Sequence, residues 1–529
     1  MIYFCLSFLT YFMYVALRCR KYLHMLQLNS YNNSNRYVKW IGKNIKKCFF
    51  TYDIILLFII LSNTMFSYDG SGLVILVFWL LLFFYYFGEL KHEQVKIKFV
   101  VTSRIKRLIF TLFVIYLLPT ILIVLTFDES LINLYTFILF VMVHLSSILV
   151  YLANIFNVPA EKYVYHHFKK MASSKLKKMN NLKVIGITGS YGKTSSKNIL
   201  ANILNVKYET LASPLNYNTP YGLIRTINEN LSSFDQIFVA EMGACEVGQI
   251  KELCDLVHPR YGILTKIGIA HLDSFKTEEN IRKTKFELIE NLPNDGVGVL
   301  NKDDDKQVSY KVKNDCKILW ISIIDSDVDV YANNIKCSHN GTTFDCFFKG
   351  DKKKYSFVTK LLGNANVYNI LGALALAKEL GLTTNEMIRG VKILEPTPHR
   401  LELKKQNDVY IIDDAYNSNP VGSSMALDVL GLMPGKKIVV TPGMIELKDK
   451  EEEQNEEFGF HMASVADEVI LVGEKKTKAI YSGLKKKSFA DEKIHIINDV
   501  KEAFILIEKL KNKETYVLFE NDLPDIFNE

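Results

Sequence analysis

A helical membrane segment followed by an α/β enzyme built on a phosphate-binding loop is the architecture this 529-residue sequence predicts. Three observations predict it. Apolar stretches of crossing length crowd the chain before residue 156. A strand, a glycine turn, Lys-Thr and a helix then follow one another from Val184. Strand-like and helix-like segments alternate from there to the end. Composition agrees: 49% hydrophobic and 23% charged residues exclude a disordered or fibrous chain. The mean hydropathy of +0.09 is carried mostly by the first 155 residues. A net charge of +7 is too mild an excess to argue for nucleic acid, which is not an expected partner. The eight cysteines form no CxxC pair and no Cys/His cluster at zinc spacing, as expected of small apolar residues in a reducing compartment.

Five stretches read as about five membrane helices over residues 1–156: Met1–Leu17, Phe49–Phe66, Gly72–Phe87, Leu108–Phe127 and Leu131–Phe156. The second and third are short, and read equally as one re-entrant hairpin around Tyr68–Ser71. The connecting loops give the orientation. Arg18, Arg20, Lys21, Arg36, Lys39, Lys43, Lys46 and Lys47 follow the first stretch, and Lys91, Lys96, Lys98, Arg104, Lys106 and Arg107 the third. The other two connections are short and carry Asp69 and Asp128-Glu129. Basic loops inside then place the N-terminus outside and the chain after residue 156 in the cytoplasm, making this a multi-pass protein of the cytoplasmic membrane. Met1–Leu17 lacks a basic start and a small-residue cleavage site, so it reads as a retained anchor. Within the basic linker, residues 157–182, Glu161–Lys178 reads about equally as a helix on the anionic inner leaflet and as a solvated connector.

Val184–Thr188 is a short apolar strand running into Gly189-Ser190-Tyr191-Gly192-Lys193-Thr194-Ser195 and a helix-forming run to Leu204. This is the physical recipe for holding a triphosphate. Glycines let backbone N–H groups approach phosphate, the helix N-terminus adds donors, Lys193 neutralises charge, and the Thr194 hydroxyl faces Mg²⁺. A strict phosphate-loop motif has glycine where this chain has Ile187, so TGSYGKTS is a compressed variant. A second strand, Gln236–Ala240, ends at Glu241 in EMGA, where a carboxylate is placed to hold Mg²⁺. A third, Tyr261–Thr265, leads to GIAHLD and His271, which reads about equally as a ligand and as a structural histidine.

The collinear runs TGSYGKTS, EMGA, KIGIAHLDSF, IRKTKFEL, LNKDD, GNANVYN, HRLE and DDAYNSNP resemble the Mur ligase superfamily, nearest to the branch that adds D-alanyl-D-alanine to a UDP-N-acetylmuramoyl-tripeptide. The resemblance implies a central ATP-binding domain on a parallel sheet over residues 183–395 and a Rossmann-like C-terminal domain over 396–529. It implies that Gly189, Ser190, Gly192, Lys193, Thr194 and Ser195 bind ATP phosphates, and that two Mg²⁺ ions are held by Thr194, Glu241, His271 and Lys285. Lys285 matches the lysine that is often carbamylated to become a metal-bridging acid. Asn301 and Asp303 fall in the NxDD run, and Asn366 and Asn369 match the adenine-side asparagines. Arg400 and Asp414 match residues that close over the nucleotide, with Asn417 and Asn419 lining the corresponding site. Lys193, Lys285 and Arg400 are the residues expected to carry catalysis.

The implied chemistry is ATP-driven amide formation through an acyl phosphate, where positioning and charge neutralisation dominate. Its partners are ATP, a carboxylate-bearing peptide linked to a nucleotide or lipid, an amino acid or dipeptide, and membrane lipid. Some positions depart from the pattern. Ala365 replaces a histidine, Thr441–Leu447 lacks an aspartate of GDMxELG, and Leu518–Pro524 stands where a KGSR-like run is expected. Membrane stretches also occupy the place of the soluble domain that grips the UDP-sugar. Two other readings remain open: a ligase building a poly-γ-glutamate capsule, and a membrane transporter or sensor using the ATPase part as a nucleotide switch. The few ionisable groups within the spans, Asp53 and His144, speak against a transport path.

Overall fold

The structure is a computed structural model that describes residues 2–521 except 30, 32–35, 50, 52, 56, 58–70, 93–97, 270–271, 407, 416–418 and 446. The chain divides into two units, one reaching to His166 and the other running from His167 to Leu523.

The first unit is helical. Among its described residues, Leu73–Lys91 and Ser103–Leu125 are long and apolar enough to cross a membrane, and Ile132–His144 with Ser146–Phe156, bent by 66°, makes a third if the pair is one span. The helix Ile2–Leu28 is not among them; Arg18, Arg20 and Lys21 put charge into its second half. The stretch Phe49–Phe66 lies mostly outside the described residues. Contacts fix helix directions. Tyr11 packs edge-on to Trp79 and the Arg18 guanidinium lies 4.9 Å from the Tyr86 ring, so Ile2–Leu28 and Ser71–His92 run the same way. Phe12 meets Phe113 while Gln27 donates to the Val100 carbonyl, so Ser103–Leu125 runs against them. Arg104 bonds Asn154 and Tyr116 bonds the Met142 carbonyl, so the bent pair turns back again. A polar knot sits inside this apolar bundle. Asp53 accepts from Tyr14 at 2.9 Å and from Thr51, with Arg18 Nη1 at 3.9 Å and His144 Nδ1 at 3.7 Å.

The second unit carries two sheets. The first orders its nine strands β2-β3-β1-β4-β5-β6-β7-β8-β9. These are β1 (Lys183–Thr188), β2 (Thr210–Ala212), β3 (Ile237–Glu241), β4 (Tyr261–Leu264), β5 (Val297–Asn301), β6 (Lys317–Ser322), β7 (Val330–Ser338), β8 (Gly341–Phe348) and β9 (Tyr355–Thr359). Strands β1 to β7 pair in parallel, with β1 lying between β3 and β4. Helices Lys193–Leu204 and Gly363–Glu379 pack on one another over the central strands, with Leu200, Ile203 and Leu374 in the core. Gly186 and Gly262 leave room for Leu288 of the helix Glu278–Glu290, whose side chain a Cβ at Gly186 would meet at 2.6 Å. With helices on its faces, β3 and β5 are buried throughout and apolar up to their last residues, Glu241 and Asn301.

The expectation of a parallel sheet holds for the core and fails at the edge. β7 and β8 pair antiparallel, with Ser338 opposite Gly341, and β9 adds a further antiparallel strand, so the sheet is mixed. Two residues, His339 and Asn340, join β7 to β8, far too few for the crossover a parallel pair needs. Gly341, at φ 115°, takes the left-handed turn.

The second sheet orders β10 (Glu402–Gln406), β11 (Val409–Asp414), β15 (Thr515–Glu520), β12 (Lys436–Thr441), β13 (Glu468–Val472) and β14 (Ile494–Ile497). Only the β10–β11 hairpin is antiparallel. The acidic run 449–457 lies in a short turn and the helix Glu451–Val465, which buries Phe458 and Met462 and keeps its first-turn glutamates near the helix N-terminus.

Candidate active site

The site is assembled at the carboxyl ends of β1, β3 and β4, where a parallel sheet opens toward ligands. β1 ends at Thr188, and Gly189 (φ 154°) and Gly192 (φ 79°) fold the following loop back on itself. Gly192 is the cap of the helix Lys193–Leu204, so the backbone N–H groups of Lys193, Thr194 and Ser195 form its first turn. The loop is held from outside. Thr265 Oγ1 donates to the Tyr191 carbonyl at 2.5 Å, Ser190 Oγ to the Gly268 carbonyl at 2.8 Å, and the Tyr191 hydroxyl to the Ile269 carbonyl at 2.6 Å. A Cβ at Gly189 would lie 1.9 Å from Thr265 Oγ1, and one at Gly268 would lie 2.2 Å from the Tyr191 ring.

Lys193 Nζ donates to the carbonyls of Gly189 and Ser190 at 2.9 and 3.2 Å. Burial holds it below the usual lysine range; Glu241 pulls it up and Arg400 adds like charge. Glu241, the last residue of β3, is almost fully buried. Its Oε1 accepts from Thr194 Oγ1 at 3.2 Å and from Asn218 Nδ2 at 3.0 Å. Its Oε2 lies 3.1 Å from Lys197 Nζ, an ion-pair distance without hydrogen-bond alignment. The structure thus brings the predicted Thr194 and Glu241 together as hard oxygen donors at the end of the phosphate loop, a donor set that fits Mg²⁺.

Lys285 projects from the helix Glu278–Glu290 and is 3% exposed. Its Nζ donates to the Ala244 carbonyl at 3.3 Å, in the loop that follows Glu241. Burial, aided by the charge on Lys193, pushes its pKa from 10.5 down to about 7. Near neutrality a large share of Lys285 is therefore the free amine, the nucleophilic form. His271 and Asn417 lie outside the described residues.

The remaining predicted residues have local partners as well. Asp303 accepts from Ser322 Oγ (2.6 Å), the Ile323 N–H (2.8 Å) and the Tyr368 hydroxyl (2.9 Å), so it ties the end of β6 to the helix Gly363–Glu379. Asn301 accepts from the Asp303 N–H at 2.9 Å. Asn366 bonds the Leu362 carbonyl within its own helix, whereas Asn369 accepts from Ser196 and sits 2.9 Å from where a Cβ of Gly192 would be. Asn369 is thus packed directly against the phosphate loop. Arg400 is flanked by His399 (φ 58°) and Leu401 (φ 47°), both left-handed, in a tight bend that leads into β10. Asp414 pairs in register with Glu520 at the ends of β11 and β15 and accepts from the Leu401 N–H at 3.0 Å. Burial pushes its pKa up to about 6, against the Leu401 N–H and the Arg400 charge. Asn419 caps the helix Pro420–Gly431 by accepting from the Gly422 N–H at 2.7 Å.

Sequence reasoning missed Lys197 and Asn218, which complete the surroundings of Glu241. Lys197 had a signal: it lies one turn beyond Lys193, next to the buried positions Ser196, Ile199 and Leu200. Asn218, in a turn between β2 and the next helix, had none.

Comparison with known proteins matches the two sheets of the second unit to two domains of one family. The Mur ligase middle domain matches residues 187–377, and the Mur ligase, glutamate ligase domain matches residues 399–519. Together they take in more than half of the chain, which belongs to the Mur ligase family of amide ligases that use ATP with Mg²⁺. The chain is similar to the UDP-N-acetylmuramoyl-tripeptide–D-alanyl-D-alanine ligase of Escherichia coli K12, with 29% identity over 301 residues, 56% of this chain and 66% of that protein. Its similarity to the same-named ligase of Bacillus subtilis 168 is 29% identity over 343 residues, 64% of this chain and 72% of that protein. Among solved structures it resembles the MurF ligase of Thermotoga maritima in complex with ADP, with a TM-score of 0.61 and 27% identity over 69% of this chain and 81% of that one. MurF of Acinetobacter baumannii gives a TM-score of 0.62 and 25% identity over 68% and 77%. The chain thus spans just under two thirds of the Escherichia coli enzyme.

Proposed function

We propose that this chain is a membrane-anchored ligase that uses ATP to join D-alanyl-D-alanine, or a related amine, to a muramoyl-peptide-type carboxylate in cell-envelope synthesis. The observation that carries the reading is the convergence of Lys193, Thr194, Glu241 and Lys285 on one phosphate loop, in a chain similar to ligases of that name.

In the reaction the substrate carboxylate attacks the γ-phosphate, ADP leaves, and the amine nitrogen then attacks the acyl phosphate carbonyl and expels phosphate. The loop's N–H groups and Lys193 would hold the phosphates, exchanging the lysine's two carbonyl partners for phosphate oxygens. Thr194, Glu241 and His271 would hold Mg²⁺, joined by Lys285 once its free amine has added CO₂ and released a proton to give a carbamate; bound there, Mg²⁺ would neutralise charge on the transferring phosphoryl group. Arg400, presented by its left-handed bend, adds positive charge from the second sheet. Asn301, Asp303, Asn366, Asn369, Asp414 and Asn417 would line the nucleotide.

The domain boundaries fit the same reading: 1–156 in the membrane, 157–182 linking, 183–395 binding ATP and 396–529 closing over it. Support for a membrane anchor comes from the alternating helix directions, which match basic loops on one side, and from apolar side chains such as Phe110, Leu125 and Phe156 exposed on the helices. By that arrangement the catalytic part is cytoplasmic.

The test is phosphate release from ATP by detergent-solubilised full chain, with UDP-N-acetylmuramoyl-tripeptide and D-alanyl-D-alanine added together and separately. Release that needs both, with a ligated product by mass, is expected. Release that ignores both substrates would refute the substrate assignment, and a Lys193→Ala variant that still hydrolyses ATP would refute the site.

A further inference from the structure

We propose that the ion pair between Glu278 and Lys450 is a latch that holds the second sheet closed over the phosphate loop, making Lys450 a positioning residue for the ATP-consuming step. The inference rests on the ligase reading above.

Glu278 is the first residue of the helix that carries Lys285 two turns later. Its carboxylate is shared by two lysines: Oε1 lies 2.6 Å from Lys450 Nζ, and Oε2 lies 2.8 Å from Lys306 Nζ. Lys306 follows the Asn301–Asp303 run, whereas Lys450 lies just before the helix Glu451–Val465 of the second sheet. One carboxylate therefore ties three segments together: the helix of Lys285, the turn after β5, and a point far along the C-terminal part.

Other contacts between the two sheets are of different kinds. Asn198 donates to Thr397 Oγ1 at 3.0 Å, and Thr397 lies in the Pro-rich connection itself, close to the pivot of any closure. Ile269 packs on the apolar core of the second sheet, a contact without direction. Glu278–Lys450 is charged and directional, and it is made well beyond the connection in sequence. Its side chains are 37% and 42% exposed, leaving it open to water. A pair of this kind is strong enough to bias closure and weak enough to break when ADP must leave.

The helix start reinforces this. Thr277 caps it by accepting from the Asn280 N–H, and Glu278 and Glu279 place negative charge in its first turn. The segment that runs from Leu272 into this helix is thus anchored at the residue that Lys450 grips. Closure of the second sheet, which carries Arg400, is thereby coupled to the position of Lys285.

The experiment compares the full chain with Lys450→Arg, Lys450→Met and Lys450→Glu, measuring kcat, the KM for ATP and the affinity for a fluorescent ADP analogue. Lys450→Arg should stay within about twofold of wild type. Lys450→Met should lose about fivefold in kcat and Lys450→Glu more than tenfold, and ADP affinity should fall with the loss of closure, further in Lys450→Glu than in Lys450→Met. Raising salt to 1 M should lower wild-type kcat toward that of Lys450→Met and leave the Met variant flat. Hydrogen exchange supplies a second readout that does not depend on turnover: ADP should protect residues 400–414 in wild type and not in Lys450→Glu. Full activity in Lys450→Glu, equal losses in all three variants, or unchanged ADP-dependent protection would overturn the latch. A wild-type protein that never turns over with any acceptor would instead overturn the ligase reading, with hydrogen exchange still deciding the latch.

Discussion

Replacing Lys285 with methionine should abolish ligation and at the same time stabilise the protein. Lys285 is 3% exposed, and its pKa falls from 10.5 to about 7 on folding. At pH 7.5 the unfolded chain carries the charged amine and the folded chain mostly the neutral one. Removing that proton costs about 1.4 kcal/mol per pH unit across the roughly three units between pH 7.5 and the unfolded pKa, or about 4 kcal/mol in all. Because the folded pKa lies below the unfolded one, the cost is absent above pH 10.5, grows as pH falls toward 7, and is complete below 7. Methionine has similar length, carries no charge and gives up only the 3.3 Å bond to the Ala244 carbonyl. Thermal unfolding of wild type and Lys285→Met in CO₂-free buffer, from pH 6 to 10, checks this. The variant should be more stable by about 4 kcal/mol at pH 7.5, a difference of roughly 8 °C in Tm for a domain of this size. The gap should close by about 1.4 kcal/mol per pH unit between pH 7 and 10 and stay constant below 7. A gap independent of pH, or a less stable variant at pH 7.5, would refute the reasoning.

Four further outcomes follow from the same contacts. Lys285→Ala should lose ligation and regain part of it with added short-chain carboxylic acids, which supply the acid that the carbamate provides; phosphate release with and without acetate measures this. Lys193→Ala should weaken ATP binding at least tenfold, read by equilibrium binding, while circular dichroism stays unchanged. Gly268→Ala should destabilise by about 1–3 kcal/mol in thermal unfolding, because its Cβ meets the Tyr191 ring at 2.2 Å. Asp53→Ala should cost about 3–5 kcal/mol of stability in detergent, since it strands the fully buried Arg18 without its carboxylate, whereas the Arg18→Met/Asp53→Leu pair should recover most of the loss.

Much of this site could be read from the sequence because phosphate chemistry demands local patterns. The loop Gly189–Ser195 is contiguous, and glycines at φ 154° and 79° are what its backbone requires. Glu241 was visible because a carboxylate ending an apolar strand is unusual. The edge of the first sheet was less visible: β7 to β9 have the alternation of any strand, and only the two-residue connection at His339-Asn340 makes them antiparallel. Lys197, Asn218 and Glu278 escaped notice for a different reason. Their partners are 44, 23 and 172 residues away, and no spacing along the chain reports a meeting made by folding. Arg18 posed the reverse problem. Read as the start of a basic loop, it is wholly buried, held by Asp53 and two tyrosine rings.

The clamp on the phosphate loop has an evolutionary consequence. Gly189, Tyr191, Thr265 and Gly268 interlock so closely that none leaves space for a larger neighbour. A methyl group gained at 268 is tolerated only once residue 191 has shrunk, and one gained at 189 meets both the Thr265 hydroxyl and a φ of 154° that side chains rarely adopt. Descendants of this sequence can therefore change these positions in concert or not at all. Divergent lineages should carry them as a co-inherited set, even where the surrounding helices have drifted freely.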